Sequence, residues 1–453
     1  MTTRPAKHTV AIIGGGLAGQ AAAIAAAERG LRVKLFEQAK TLGGRASSLL
    51  DAETGDLIDF GQHVAMGCCT QWLDFCRRIG AGDCFERYHQ LHFFGRDGVR
   101  YDFTPSRWLP VPLHLAPALF HLKYLSVCER WRILRAMRQL SAATGHARST
   151  HSGDEPIGAW LQRHGQSEHA VEQFWTPVFV SALSETIEHA SLAAARHVLA
   201  EAFFASREAS DLLVPRRPLQ TLFHDQSMRR LTELGVAVHL NAKVLRVDGN
   251  ANRACKIVFM DGATFEDFDA VVAAVPWRHV RSLFSDALLD AMPSLEGVDA
   301  IESGTIATVH LWFDRPITPL PHAVLVGRLG QWVFTSSESN ATSPRQHVQV
   351  VISAAHRLVD CDHEALRARV LQELTDLWPA VQEAQLLHGR VISYPSAVFS
   401  LQPGVELLRP TQNTPVANLF LAGDWTSTGW PATMEGAVRS GYRAVESLCE
   451  SFV

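Results

Sequence analysis

Val10-Ala11-Ile12-Ile13-Gly14-Gly15-Gly16-Leu17-Ala18-Gly19, an alanine-rich run to Gly30, and then Arg32-Val33-Lys34-Leu35-Phe36-Glu37 decide the fold. The pattern predicts a strand over 10–13, a glycine turn, a helix ending near Gly30 and a second strand over 32–36. Gly14 permits the tight turn. Gly16 lets a pyrophosphate approach the backbone, and Gly19 lets helix and strand pack closely. The helix start at Leu17 and Ala18 offers free N–H groups and a partial positive charge to phosphates. Glu37 lies eighteen positions beyond Gly19, where a carboxylate can accept from both hydroxyls of an adenosine ribose. Strand, turn, helix, strand and acid in this order mark a dinucleotide site.

Two further segments select a flavin. Leu42-Gly43-Gly44-Arg45-Ala46 leaves room beside the pyrophosphate and adds a guanidinium fork. Near the end, the apolar strand Asn418–Ala422 runs into Gly423-Asp424-Trp425, then Gly429-Trp430-Pro431-Ala432-Thr433-Met434-Glu435-Gly436-Ala437. Asp424 suits ribityl or phosphate-side hydroxyls. The turn Pro431, Ala432, Thr433, Met434 opens a helix to about Leu448, whose N–H groups suit the pyrimidine end of an isoalloxazine. Head and tail closing on one ligand resembles the FAD oxidoreductases of the amine oxidase and carotenoid desaturase type.

Composition agrees. A chain of 453 residues suits two domains. Charged residues make up 19%, below the usual ~25%, which points to much apolar surface in a pocket or at a membrane. The net charge of −4 argues against nucleic acid, and no basic stripe with interleaved aromatics occurs. Eight cysteines form no CxxC pair and no zinc spacing with histidine, so they read as reduced cytoplasmic thiols and no metal is expected. Met1–Thr9 is a short polar lead, not a signal peptide.

The middle of the chain alternates between two domains. A strand pair is expected over Asp51–Gly61, short strands over Phe85–Phe103, and helices over Leu125–Ala143, Glu155–Gln162 and Ser191–Ser206. Val236–Val247 and Cys255–Met260 read as a strand pair with a turn at Asp261-Gly262. Ala270–Val275 reads as a buried strand. Ile306–Phe313, His347–Ala354 and Gly389–Tyr394 read as sheet strands, with a helix over His363–Trp378.

Asp59-Phe60-Gly61-Gln62-His63-Val64, Val214-Pro215-Arg216, Val309–Pro316, Gln331–Phe334 and the Ala422–Gly441 region together resemble one branch of that superfamily, the hydroxysqualene dehydroxylases. The resemblance covers essentially the whole chain. It departs at Phe60, where the branch usually has Asn, and at Ser396-Ala397-Val398-Phe399, where it usually reads Arg-Ala-Thr-Phe. It implies an α/β fold: a Rossmann-like FAD-binding domain of the amine oxidase/glutathione reductase-2 type (1–90, 210–285 and 385–453) with an inserted α+β substrate domain (91–209 and 286–384). It also implies FAD as cofactor, with Gly61 and Val244 added to the binding set.

The implied reaction replaces the hydroxyl of a thirty-carbon allylic alcohol, hydroxysqualene, with hydride from reduced FAD, giving squalene. His63, expected beside the isoalloxazine, is the candidate proton donor to the leaving hydroxyl, and Gln62 could orient the alcohol. Asp59 reads as a structural acceptor. Only one dinucleotide fingerprint occurs, so the electron donor is an unidentified partner. The alternatives are a carotenoid-type desaturase, an amine oxidase and a flavin-free prenyl-binding escort of the GDP-dissociation-inhibitor type. Amine oxidases usually place a lysine near the flavin from the second substrate-domain segment, and here the last lysine is Lys256. Intact Gly43-Gly44-Arg45 and Gly423-Asp424 argue against the escort.

Trp108–Val127 is mostly apolar but holds Pro110, Pro112 and Pro117, which spoils a spanning helix and suits an interfacial patch. Glu129–Arg138 adds a basic amphipathic helix carrying Arg130, Arg132, Arg135 and Arg138, able to meet anionic lipid. The expected location is cytoplasmic and peripheral on the inner face of the membrane.

Overall fold

A computed structural model describes residues 8–142, 153–336, 345–358 and 361–452. Of the polar lead, only His8 and Thr9 are among them; Ala143 lies outside. The opening stretch forms the strand Thr9–Ile13, the helix Leu17–Glu28 and the strand Arg32–Phe36. The helix is apolar on every side because the sheet and the helix Met434–Glu450 enclose it. Gly441 makes that second contact possible: a Cβ there would lie 2.2 Å from the Ala18 carbonyl oxygen.

Five parallel strands form the cofactor-side sheet, in the order Ala237–His239, Arg32–Phe36, Thr9–Ile13, Ala270–Ala273, Leu419–Leu421. Ile12 sits between Leu35 and Val272 in register. Head, middle and tail of the chain thus share one sheet, and its buried strands read as continuous apolar runs.

The single strand expected over Val236–Val247 is two. Ala237–His239 joins the parallel sheet, while Val244–Gly249 pairs antiparallel with Ala254–Phe259. Asn241, at φ +54°, makes the break; Asn tolerates that left-handed region through its short polar side chain. The turn at Asp261-Gly262 instead joins Ala254–Phe259 to Thr264–Phe265. The expected helix Ser191–Ser206 is α-helical over Leu192–Val198 and π-helical over Leu199–Phe204.

A second, seven-stranded sheet covers the other half. Its order is Leu386–Phe399, Ser303–Phe313, Gln346–Ile352, Trp332–Thr335, His322–Leu325, Leu91–Phe94, Arg100–Phe103. Leu386–Phe399 pairs along the whole of Ser303–Phe313. We therefore draw the return to the cofactor domain after Phe399 rather than at 385: an isolated strand pattern does not name its partner, and the pairing does. Among the described residues, no helix is long and apolar enough to cross a membrane.

Candidate active site

The two sheets enclose a cavity of about 810 Å³. Its wall collects Gly14, Gly16, Leu17, Ala18, Glu37, Gly43, Gly44, Arg45, Gly61, Gln62, His63, Val244, Gly423, Asp424, Pro431, Ala432, Thr433 and Met434. Gly19 is outside the lining. A Cβ on it would stand 1.9 Å from the Gly14 carbonyl oxygen, so it serves the helix–strand approach.

The wall fits a dinucleotide. At Gly16 a Cβ would meet nothing within 4 Å, so the cavity is open there, whereas at Gly14 it would lie 2.5 Å from the Ala274 carbonyl oxygen. Helix hydrogen bonding begins with Gln20 N–H to the Gly16 carbonyl, so the first-turn N–H groups have no partner inside the helix and suit phosphate oxygens. Glu37 is buried, and its two carboxylate oxygens accept from Gly15 N–H (2.6 Å) and Ala39 N–H (2.8 Å). That holds the carboxylate still and leaves lone pairs for ribose hydroxyls.

Arg45 donates to Asp424 Oδ1 (2.5 Å) and to the Ala397 carbonyl (3.1 Å). The guanidinium expected at the pyrophosphate therefore also ties the first glycine-rich segment to the last. Thr433 caps the final helix, its Oγ1 accepting from Gly436 N–H (3.1 Å).

Three residues with structural parts here escaped the sequence reading. Arg409 is buried, and its Nη2 donates to the carbonyls of Asp424 (2.9 Å), Thr426 (2.7 Å) and Trp430 (2.8 Å). It holds the cofactor loop from behind. Glu435 is fully buried and accepts from Trp72 N–H (2.7 Å), Gln71 N–H (3.2 Å) and Arg439 Nε (2.5 Å). Ser440 Oγ accepts from Gly423 N–H (2.7 Å). A buried arginine beside Pro410 has no periodic signature. Glu435 carries a weak one, since an acid in a first helical turn is common.

His63 Nδ1 lies 2.7 Å from the Gly61 carbonyl oxygen. A carbonyl cannot donate, so Nδ1 carries a proton, and neutral His63 has an unprotonated Nε2. Burial lowers its pKa below the usual 6.5; the Gly61 carbonyl opposes this and the Arg45 charge adds to it. Asp59 accepts from Ser48 Oγ (2.6 Å) and Leu219 N–H (2.9 Å). Burial raises its pKa to about 6 against those two bonds.

Both departures from the dehydroxylase pattern reach the cavity. Phe60 stacks on Tyr394 at 6.4 Å, and both line the cavity beside Ala397 and Val398.

The description "flavin containing amine oxidoreductase" fits residues 17–449 of this chain. The chain belongs to that family. This flavin amine oxidoreductase is 29% identical over 452 aligned positions to the hydroxysqualene dehydroxylase of Sinorhizobium fredii, with 96% of this chain and 97% of that one covered. It is 25% identical to the zeta-carotene desaturase of a Synechocystis species, covering 97% and 96%. Its fold matches a putrescine oxidase bound to putrescine at a TM-score of 0.72 and 17% identity, over 98% and 99% of the two chains. The flavin amine oxidoreductase is thus an FAD-dependent enzyme with the expected α/β fold.

Proposed function

We propose that this FAD oxidoreductase removes the hydroxyl of hydroxysqualene and yields squalene. The observation that carries the reading is continuity: the cavity that holds the cofactor segments runs on into a wall of Phe93, Phe103, Met137, Phe174, Trp332 and Phe334. Such a wall suits a long hydrocarbon and excludes water from a cationic intermediate. The family's reduced flavin supplies the hydride equivalent when bound. The chain holds the alcohol, assigned to Gln62, and delivers a proton to the leaving oxygen, assigned to His63. The C–O bond breaks, water departs, and hydride fills the allylic carbon. The dehydroxylase relative supports this reading; the desaturase relative supports the opposite redox direction.

Substrate of this kind arrives from lipid. The helix Val127–Ala142 places Met137 in the cavity wall and exposes Trp131, Arg132, Arg135 and Arg138. Trp131 is 62% exposed and Trp108 93%. The cavity-lining helix that contains Phe203 leads to Arg207, which donates to the Arg107 carbonyl beside Trp108. Trp108 thus adjoins a helix that lines the cavity, Trp131 stands on another, and we assign both exposed rings to contact with the membrane surface. Arg130 is not part of that face: it is half-buried, donates to the Leu125 carbonyl and stands over the Phe120 ring.

Anaerobic incubation of reduced holoenzyme with hydroxysqualene, followed by mass spectrometry, tests the reading. Squalene with matching flavin oxidation supports it. Unchanged alcohol, with polyene formed from carotenoid precursors, transfers the protein to the desaturases.

A further inference from the structure

Four carboxylates line the cavity: Glu37, Glu201, Asp424 and Glu435. Three are engaged. Glu37 accepts from two backbone N–H groups, Asp424 from Arg45, and Glu435 from Trp72, Gln71 and Arg439. The Glu201 carboxylate has neither hydrogen bond nor ion pair among the described residues. It is half-buried, and its cavity-lining neighbours Leu199, Ala202 and Phe203 are apolar. A carboxylate without a protein partner in such a wall is free to accept from a donor that a ligand brings into the cavity.

Its position is defined from two sides. Glu201 stands on the π-helical stretch Leu199–Phe204, a local widening often found at functional sites because it re-aims side chains. Four residues earlier, the His197 ring meets the Trp430 ring edge-on at 5.0 Å. Trp430 belongs to the segment that carries the cofactor turn Pro431–Met434. Glu201 therefore lies about one helical turn, roughly 5–6 Å of axis, from the point where this helix touches the cofactor side.

We propose that Glu201 is the acceptor for the substrate hydroxyl, as Gln62 is assigned to donate to it: its carboxylate accepts the hydrogen bond of a hydroxylated isoprenoid and sets preference for the alcohol over the hydrocarbon. The identity of that alcohol rests on the dehydroxylase reading. A desaturase substrate carries no donor and would leave the carboxylate unmatched. The product of dehydroxylation also lacks the hydroxyl, so the same residue favours release of squalene once the oxygen has gone.

Oxidised holoenzyme, which cannot turn the alcohol over, provides the test. Binding of hydroxysqualene and of squalene in matched detergent micelles is followed by perturbation of the flavin visible spectrum. Wild type should bind the alcohol at least tenfold more tightly, the scale of one hydrogen bond to a charged acceptor. Glu201→Leu, with FAD content unchanged, should abolish that preference and bind squalene at least as well as wild type. Glu201→Gln, which keeps shape and a weaker acceptor, should weaken alcohol binding several-fold and leave squalene binding unchanged. Loss of preference in either variant supports the assignment. Wild-type preference retained in both, or no preference in wild type, overturns it. The outcome is separate from the reduction assay: a Glu201-dependent alcohol preference in an enzyme that makes no squalene refutes the dehydroxylase reading and leaves the recognition role standing.

Discussion

Arg45 and Asp424, 379 positions apart in sequence, meet at 2.5 Å. The pair joins the glycine segment after the second strand to the loop before the last helix, and both residues line the cofactor cavity. The Asp424 side chain is only 4% exposed, so the pair is weakly screened and positions both segments together. The chain's two ends are therefore closed on each other at the cavity proposed for the cofactor.

Removing the ribose acceptor should weaken cofactor binding. Glu37→Ala deletes the group assigned to the adenosine hydroxyls and strands the Gly15 N–H that it accepts. Charge-assisted bonds are worth about 1.5–3 kcal/mol each, so FAD affinity should fall at least tenfold. Fluorescence titration of the deflavinated protein measures this. Full flavin occupancy with unchanged affinity would show that Glu37 does not hold the ribose.

Arg409 should prove a stability residue. Its side chain is fully buried, and one nitrogen serves three carbonyls of the cofactor loop. Arg409→Met should destabilise the holoenzyme by about 3 kcal/mol, since it orphans Glu406 and those carbonyls together. Denaturant unfolding of wild type and variant decides it. A shift below about 1 kcal/mol would mean that the loop is held without Arg409.

These residues show what the sequence could disclose. The places of the glycines, Glu37 and the Gly423-Asp424 segment around the cavity are legible because each proposed task demands one residue type at fixed spacing along a strand–turn–helix path. Arg409 was not, since its partners are carbonyls, which every residue possesses. The break at Asn241 was hidden by apolar residues that continue on both sides of it. The sheet that receives Leu386–Phe399 was equally hidden, because alternation fixes a strand's faces and not its neighbour.

The membrane face gives a salt-dependent prediction. Neutralising Arg132, Arg135 and Arg138 should release the protein from anionic vesicles, at about 1 kcal/mol per charge near the surface. Neutralising Arg130 alone should not, because it is engaged within the fold. Sedimentation with phosphatidylserine-containing vesicles at low salt measures both. A wild type that stays in the supernatant would end the lipid-contact proposal, and an Arg130 variant as defective as the triple one would place the contact elsewhere.

His63 carries the pH prediction. Its pKa is lowered, first by burial, with the Gly61 carbonyl opposing and Arg45 assisting. The proton-donating imidazolium is therefore scarce above the ordinary value of 6.5 and grows as pH falls. If His63 protonates the leaving hydroxyl, single-turnover oxidation of reduced flavin by hydroxysqualene should speed up as pH drops through that range. Its inflection should lie below that of a free imidazole. His63→Ala should keep FAD and substrate binding and slow the chemical step by about 10²–10⁴-fold, the usual worth of a general acid. The acidic limb should vanish with it. His63→Asn keeps polarity at the site but cannot supply the proton, so it should be as slow as the alanine variant. An asparagine enzyme within a few-fold of wild type, with the acidic limb intact, would move the acid role to an ordered water near Gln62. The site would then still bind the alcohol, and only the proton's source would change.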